Sequence, residues 1–147
     1  MRDTTPSKAP LLTYAVRAHR VDAHHSIVQC KQASLTIDTD LAGQVDAFNP
    51  AELLLAALSA CMLKGIERVM PMLHFDLRSV AISMHGVRQD LPPKFASIRY
   101  EIDLDTDESE QRIALLHANV QKYGTVFNTL APGTVLQGTM RRRGAAA

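Results

Sequence analysis

The sequence predicts an α+β fold with the element order βββ-α-ββ-α-α-β. Three observations carry that expectation. Alternating, β-branched segments sit near both ends of the chain and in its middle, and one long apolar segment opens with a full set of helix-start signals. Strand-like and helix-like segments are also grouped rather than strictly alternating, which argues against a doubly wound parallel sheet.

Taken in order, Leu11 to Arg20 and Ser26 to Asp38 alternate and carry Tyr14, Val16, Ile27, Val28, Leu35 and Ile37, so they read as two or three antiparallel strands. Asn49 then starts the long helix. It is a good N-cap, Pro50 suits the first helical position, and Glu52 completes a capping box. Phe48 and Leu53 are spaced for a hydrophobic staple. The helix is expected to stop at Pro71, which lacks an N–H and crowds the preceding turn, giving about 21 residues or roughly 30 Å. From Leu53 to Leu63 it is apolar on every side, more than one small sheet can cover, so a second subunit is the expected cover. Phe75 to Gln89 and Phe95 to Asp105 follow as strands around Asp90-Leu91-Pro92-Pro93. Asp107 and Glu110 suggest a capping box for a helix to Tyr123, with Gly124 as a C′ residue of positive φ and Thr125 capping a short helix to Leu130. After Pro132-Gly133, Thr134 to Arg142 reads as the last strand.

The chain has 147 residues, 46% hydrophobic and 21% charged, which suits one globular domain over residues 11–142 between a flexible arm, 1–10, and a tail, 143–147. A net charge of +1 with both signs scattered gives no electrostatic footprint for nucleic acid or an anionic membrane, and Arg141-Arg142-Arg143 alone is too short a run to change that. No apolar run is long enough to span a bilayer and nothing resembles a secretory signal, so a cytoplasmic location is expected. Cys30 and Cys61 form neither a CxxC pair nor a ligand cluster, and the six histidines lack partners at ligand spacing. No metal or cofactor is expected, and any chemistry belongs to single thiols.

The segment Asn49-Pro50-Ala51-Glu52-Leu53-Leu54-Leu55-Ala56-Ala57-Leu58-Ser59-Ala60-Cys61 resembles the OsmC and organic hydroperoxide resistance family, in which a Pro-x-Glu-Leu-type helix start leads to a cysteine on a central helix. Lys122-Tyr123-Gly124-Thr125-Val126-Phe127-Asn128-Thr129-Leu130 looks like that family's second signature, which usually reads Cys-Pro-Val-Ser-Asn-Thr-Leu after the tyrosine. The resemblance spans roughly residues 11 to 142. It implies an OsmC-like fold in an intertwined homodimer, with sites at the subunit interface and reactive cysteines facing a hydrophobic pocket. It also implies thiol peroxidase chemistry: the helix cysteine reduces an organic hydroperoxide, a second cysteine resolves the sulfenic acid, an arginine and a glutamate assist, and thiol reductants regenerate the enzyme.

Carried over residue by residue, Cys61 matches the attacking position and Gly124 stands where the second cysteine is expected, which rules out the usual dithiol cycle. Thr125 and Phe127 replace the proline and serine of the same signature. Phe48, Leu58, Met62 and Phe127 are candidates for lining the pocket. Glu52 lies nine residues before Cys61, where the peroxidases commonly carry a glutamate ten before; nine helical residues turn about 900° and place it on the opposite face. Its capping box accounts for it without catalysis. Arg17 and Arg20 are the candidate activating cations, and strand alternation allows at most one to point inward.

Two functions fit these residues. One is a one-cysteine thiol peroxidase acting on organic hydroperoxides through Cys61, with an external thiol completing the cycle. The other is a non-catalytic homodimer that binds a hydrophobic small molecule or partner in the interface pocket, with Cys61 as a small core hydrophobe.

Overall fold

The computed structural model describes residues 9–145. The arm expected at 1–10 and the tail at 143–147 fall partly outside them. The order is β1 (Arg17–Arg20), β2 (His25–Cys30), β3 (Ala33–Asp38), α1 (Pro50–Leu73), β4 (Ser79–Asp90), β5 (Pro93–Asp105), α2 (Glu110–Tyr123), α3 (Thr125–Leu130) and β6 (Val135–Arg142). This is the α+β order that the sequence predicts. The backbone divides into an N-terminal unit ending at Pro50 and a C-terminal unit starting at Ala51.

The N-terminal unit is an antiparallel meander, β1-β2-β3, with Arg17 opposite Gln29 and His25 opposite Asp38. Leu11 to Val16, expected to extend β1, lie outside the strand. Lys31 takes a positive φ of 56° in the β2–β3 turn. The loop after β3 is organised by carboxylates rather than by apolar packing. Asp38 accepts from the backbone N–H groups of Asp40 and Gln44, each at 2.8 Å, and Asp40 accepts from the N–H of Ala42 at 2.8 Å. His24 Nδ1 lies 2.5 Å from Asp40 and His25 Nε2 lies 3.2 Å from Asp46. The paired histidines thus find carboxylates far away in sequence, which spacing alone did not reveal. Those contacts hold the Asp40 carboxyl down to about 2, the Ala42 N–H contributing most, and the bond to Asp46 pushes His25 up.

The C-terminal unit carries the core. Its sheet has the order β4-β5-β6, antiparallel between β4 and β5 and parallel between β5 and β6. Alternation along β5 puts Ile98, Tyr100, Ile102 and Leu104 on one face, all buried, with Arg99, Glu101 and Asp103 on the other. Two helices supply the other side of that core: Leu58, Met62, Ile66 and Val69 from α1, and Ile113, Leu116 and Val120 from α2. These recur at helical spacing, so each helix buries one stripe. The opposite side of α1 keeps apolar residues in the open, among them Ala57, Ala60 and Leu63. Gly65 lets the helices touch: a Cβ there would stand 3.3 Å from Val120 Cγ1.

Three helix ends differ from the expectations. α1 continues through Pro71 to Leu73. A proline in the last turn removes only one ladder bond, and the carbonyls of Leu73 and His74 accept from Arg112 Nη2 of α2 at 2.7 and 3.0 Å. α2 is capped by Ser109, whose Oγ accepts from the Arg112 N–H at 3.3 Å, and not by Asp107, whose carboxylate is engaged by Arg78. Gly124 has φ −77° and ψ 112°, an ordinary extended conformation, and it also occupies the N-cap position of α3 that Thr125 was expected to take. Glycine is therefore not required there by a positive φ. What occupies the space around it is the better explanation.

Candidate functional site

Cys61 lies two turns into α1 beyond its first apolar residues, between the buried Leu58 and Met62 on one side and the exposed Ala60 and Leu63 on the other. Its thiol is partly buried. The α2–α3 junction faces it. α2 ends at Tyr123, Gly124 is buried, and α3 starts at Thr125, so the chain passes the thiol at its tightest corner. A Cβ placed on Gly124 would stand 3.4 Å from Cys61 Sγ, 3.2 Å from the Val120 carbonyl oxygen and 3.0 Å from Phe127 Cβ. The two segments that carry the family resemblance, separated by about 60 residues in sequence, meet at this point.

In a disulfide the Cβ of one cysteine lies about 3.0 Å from the sulfur of the other, as the bond length and angles require. Position 124 is thus within a few tenths of an ångström of disulfide geometry, yet it holds no sulfur. Cys61 has no thiol partner at that corner.

The other residues singled out by sequence fall as follows. Glu52 is in the first turn of α1 and exposed, about 13 Å along the helix axis from Cys61. Arg17 and Arg20 lie on β1 of the N-terminal unit, both exposed, as is half of the Phe48 side chain in the same unit. Leu58 and Met62 are fully buried in the core, which makes them packing residues of the site's floor rather than an open lining. Phe127 is partly buried against that core and adjoins Gly124.

Sequence reasoning missed a polar trio beneath the junction. Tyr100 on β5 is 1% exposed, and its hydroxyl lies 2.7 Å from His117 Nε2 and 2.6 Å from Gln121 Nε2. Burial pushes the Tyr100 hydroxyl up and His117 down, so both groups are held neutral. One signal was available: His117 and Gln121 are four apart on the helix whose buried stripe includes Leu116 and Val120, which points both side chains at the sheet.

Among the described residues no helix is long and apolar enough to cross a membrane, and no group of three or more His, Cys, Asp or Glu side chains could hold a metal ion.

Comparison with known proteins bears on the fold and the family. No curated protein sequence matches the chain. Solved structures do match in fold. An OsmC-like protein from Mycoplasma pneumoniae superimposes with a TM-score of 0.83 at 19% identity, covering 89% of this chain and 97% of that one. An organic hydroperoxide resistance protein OsmC from Legionella pneumophila gives 0.71 at 19% identity, over 90% and 98%. The organic hydroperoxide resistance protein OhrB of Bacillus subtilis gives 0.66 at 14% identity, over 89% and 99%. The family model described as OsmC-like protein matches residues 43–137, which include both Cys61 and Gly124. The chain therefore belongs to the OsmC-like protein family.

Proposed function

We propose that the chain is a one-cysteine thiol peroxidase that reduces organic hydroperoxides through Cys61 and is regenerated by an external thiol. The observation that carries this reading is the corner at Gly124. Family membership suggests a hydroperoxide-related role, the two motif segments face each other, and one of the two expected thiols is missing where they meet.

The chemistry balances without a second cysteine. The Cys61 thiolate sulfur attacks the terminal oxygen of ROOH, the O–O bond breaks, and the leaving alkoxide takes up a proton to give the alcohol ROH. Sulfur supplies the two electrons and becomes a sulfenic acid. An external thiol R′SH then condenses with it, releasing water and forming a mixed disulfide. A second R′SH displaces Cys61 as the thiol and leaves R′SSR′. Phe127, partly buried beside Gly124, supplies apolar surface that suits an alkyl or aryl R group, over a floor packed by the buried Leu58 and Met62.

The proposed assembly is a homodimer. No hydrophobic side chain among the described residues of the N-terminal unit is buried, and Leu12, Tyr14, Leu41 and Val45 are almost wholly exposed. Leu63 on the open side of α1 is in the same state to a lesser degree. Apolar surface of this extent is usual at subunit interfaces.

The test is consumption of cumene hydroperoxide with dithiothreitol as reductant. The intact protein is expected to show saturable turnover that Cys61→Ser abolishes while the assembly state is unchanged. Equal rates in the two proteins would end the peroxidase reading. A Cys61 that also resists thiol reagents in the native protein would favour the ligand-binding alternative.

A further inference from the structure

The last turn of α2 delivers Gly124 to the Cys61 thiol, so whatever fixes that turn fixes the corner. Two sets of contacts do so. The first is the close approach of Val120 to Gly65, which sets the distance between α2 and α1. The second is the Tyr100, His117 and Gln121 trio, which ties the same turn to the sheet.

The donor roles in the trio are read from the Gln121 amide, which lies within hydrogen-bond distance of both partners. The Gln121 amide nitrogen can only donate, so the Tyr100 oxygen accepts from it. The same amide nitrogen lies 3.3 Å from His117 Nε2, so the arrangement fits an unprotonated Nε2 that accepts from it and from the Tyr100 hydroxyl at 2.7 Å. The direction of the shift on His117, downward through burial, agrees with a neutral ring. Tyr100 can lie in this position because its register partner on β6 is Gly138: a Cβ there would overlap the Tyr100 ring. A glycine, a buried tyrosine and two polar helix residues one turn apart are thus all used to hold the end of α2. Gln121 is also the residue whose carbonyl accepts from the Gly124 N–H, at 3.4 Å, so the trio connects directly to the corner.

We propose that Tyr100, His117 and Gln121 form a positioning network that holds the α2–α3 junction against the Cys61 thiol, and so sets both the access of reagents to that sulfur and the disulfide geometry at position 124. The inference rests on Cys61 and Gly124 forming the site, and it is independent of whether Cys61 turns over peroxide.

The test separates positioning from general stability. In Gly124→Cys protein, the equilibrium between the dithiol and the disulfide joining Cys61 to the introduced thiol is measured against glutathione under native conditions. A residue that only stabilises the fold weakens both redox forms alike and leaves their ratio unmoved. Tyr100→Phe is expected to shift the ratio about fivefold toward the dithiol, the effect of one net hydrogen bond. His117→Gln keeps an acceptor for the Tyr100 hydroxyl and should preserve the parent ratio. The second arm uses Cys30→Ser protein with Gly124 intact, in which Tyr100→Phe and Gln121→Met should each raise the native alkylation rate of Cys61 while His117→Gln does not. Gln121→Met serves if Tyr100→Phe does not fold. An unmoved alkylation rate in a folded variant overturns the proposal, whether or not the engineered disulfide forms. So does an unmoved redox ratio.

Discussion

Replacing Gly124 by cysteine should convert the site to a dithiol pair in one step. The new Cβ would stand 3.4 Å from Cys61 Sγ, against about 3.0 Å in a relaxed disulfide, so the junction needs to close by only a few tenths of an ångström. The backbone at 124, with φ −77° and ψ 112°, accepts any L-residue without strain. Cross-linking a loop of about 60 residues restricts the unfolded chain by roughly 4 kcal/mol in the chain-entropy account. The new Cβ would also press on Phe127 Cβ at 3.0 Å and the Val120 carbonyl at 3.2 Å. Overpacking of that kind costs about 1–3 kcal/mol, and it falls equally on the reduced variant. Closing the last few tenths of an ångström strains the oxidised form alone, so it should exceed its own reduced form by about 2–4 kcal/mol in urea unfolding. The assay is thiol titration and peptide mapping after mild oxidation, with the denaturation midpoint measured with and without reductant. Two free thiols at positions 61 and 124 after oxidation, or a bridge from the new cysteine to Cys30 instead, would refute the placement of Gly124 over Cys61.

Two further outcomes follow from the core. Gly138→Ala drives a methyl into the Tyr100 ring and should cost about 1–3 kcal/mol in urea unfolding; a change under about 0.5 kcal/mol would show that the ring moves aside freely. For pH, burial lowers the His117 value in the folded protein below the ordinary 6.5. As pH falls through 6.5 the unfolded chain takes up the proton first, so this residue's contribution to stability is intact above 6.5 and declines below it, levelling off beneath the folded value. His25 works in the opposite sense, because its value is raised by Asp46, and its contribution is lost as pH rises through that raised value. The comparison to make is therefore intact protein against His117→Gln: the variant should lose less stability between pH 7 and pH 5, and parallel curves would contradict the buried, neutral assignment.

Local signals dominated what was legible in the sequence. Pro50 marked the start of α1 because a proline at the first helical position has a local cause, and alternation in β5 identified the buried face of the sheet. The errors occurred where a distant partner decided the outcome. Pro71 does not end α1, since Arg112, about 40 residues away, satisfies the carbonyls beyond it. Asp107 fits a capping pattern but is taken by Arg78, just before the neighbouring strand β4, leaving the cap to Ser109. At the site, the pairing of Cys61 with position 124 was legible only through family motifs, because nothing in periodicity links residues so far apart. Sequence alone attributes the glycine at 124 to backbone freedom, whereas its lack of a side chain between Cys61, Val120 and Phe127 is what the corner uses. The trio beneath it depends on Tyr100 reaching across the space that Gly138 leaves open, a relation between two strands that sequence order does not display.

The most direct measurement of the central claim is trapping of the oxidised sulfur. Native protein is treated with one equivalent of cumene hydroperoxide in the presence of dimedone and mapped by mass spectrometry. The account predicts a dimedone adduct on Cys61, formed faster than on Cys30 and absent when an external thiol is added first. An unmodified Cys61, in protein that remains folded and whose peroxide is left intact, would contradict it.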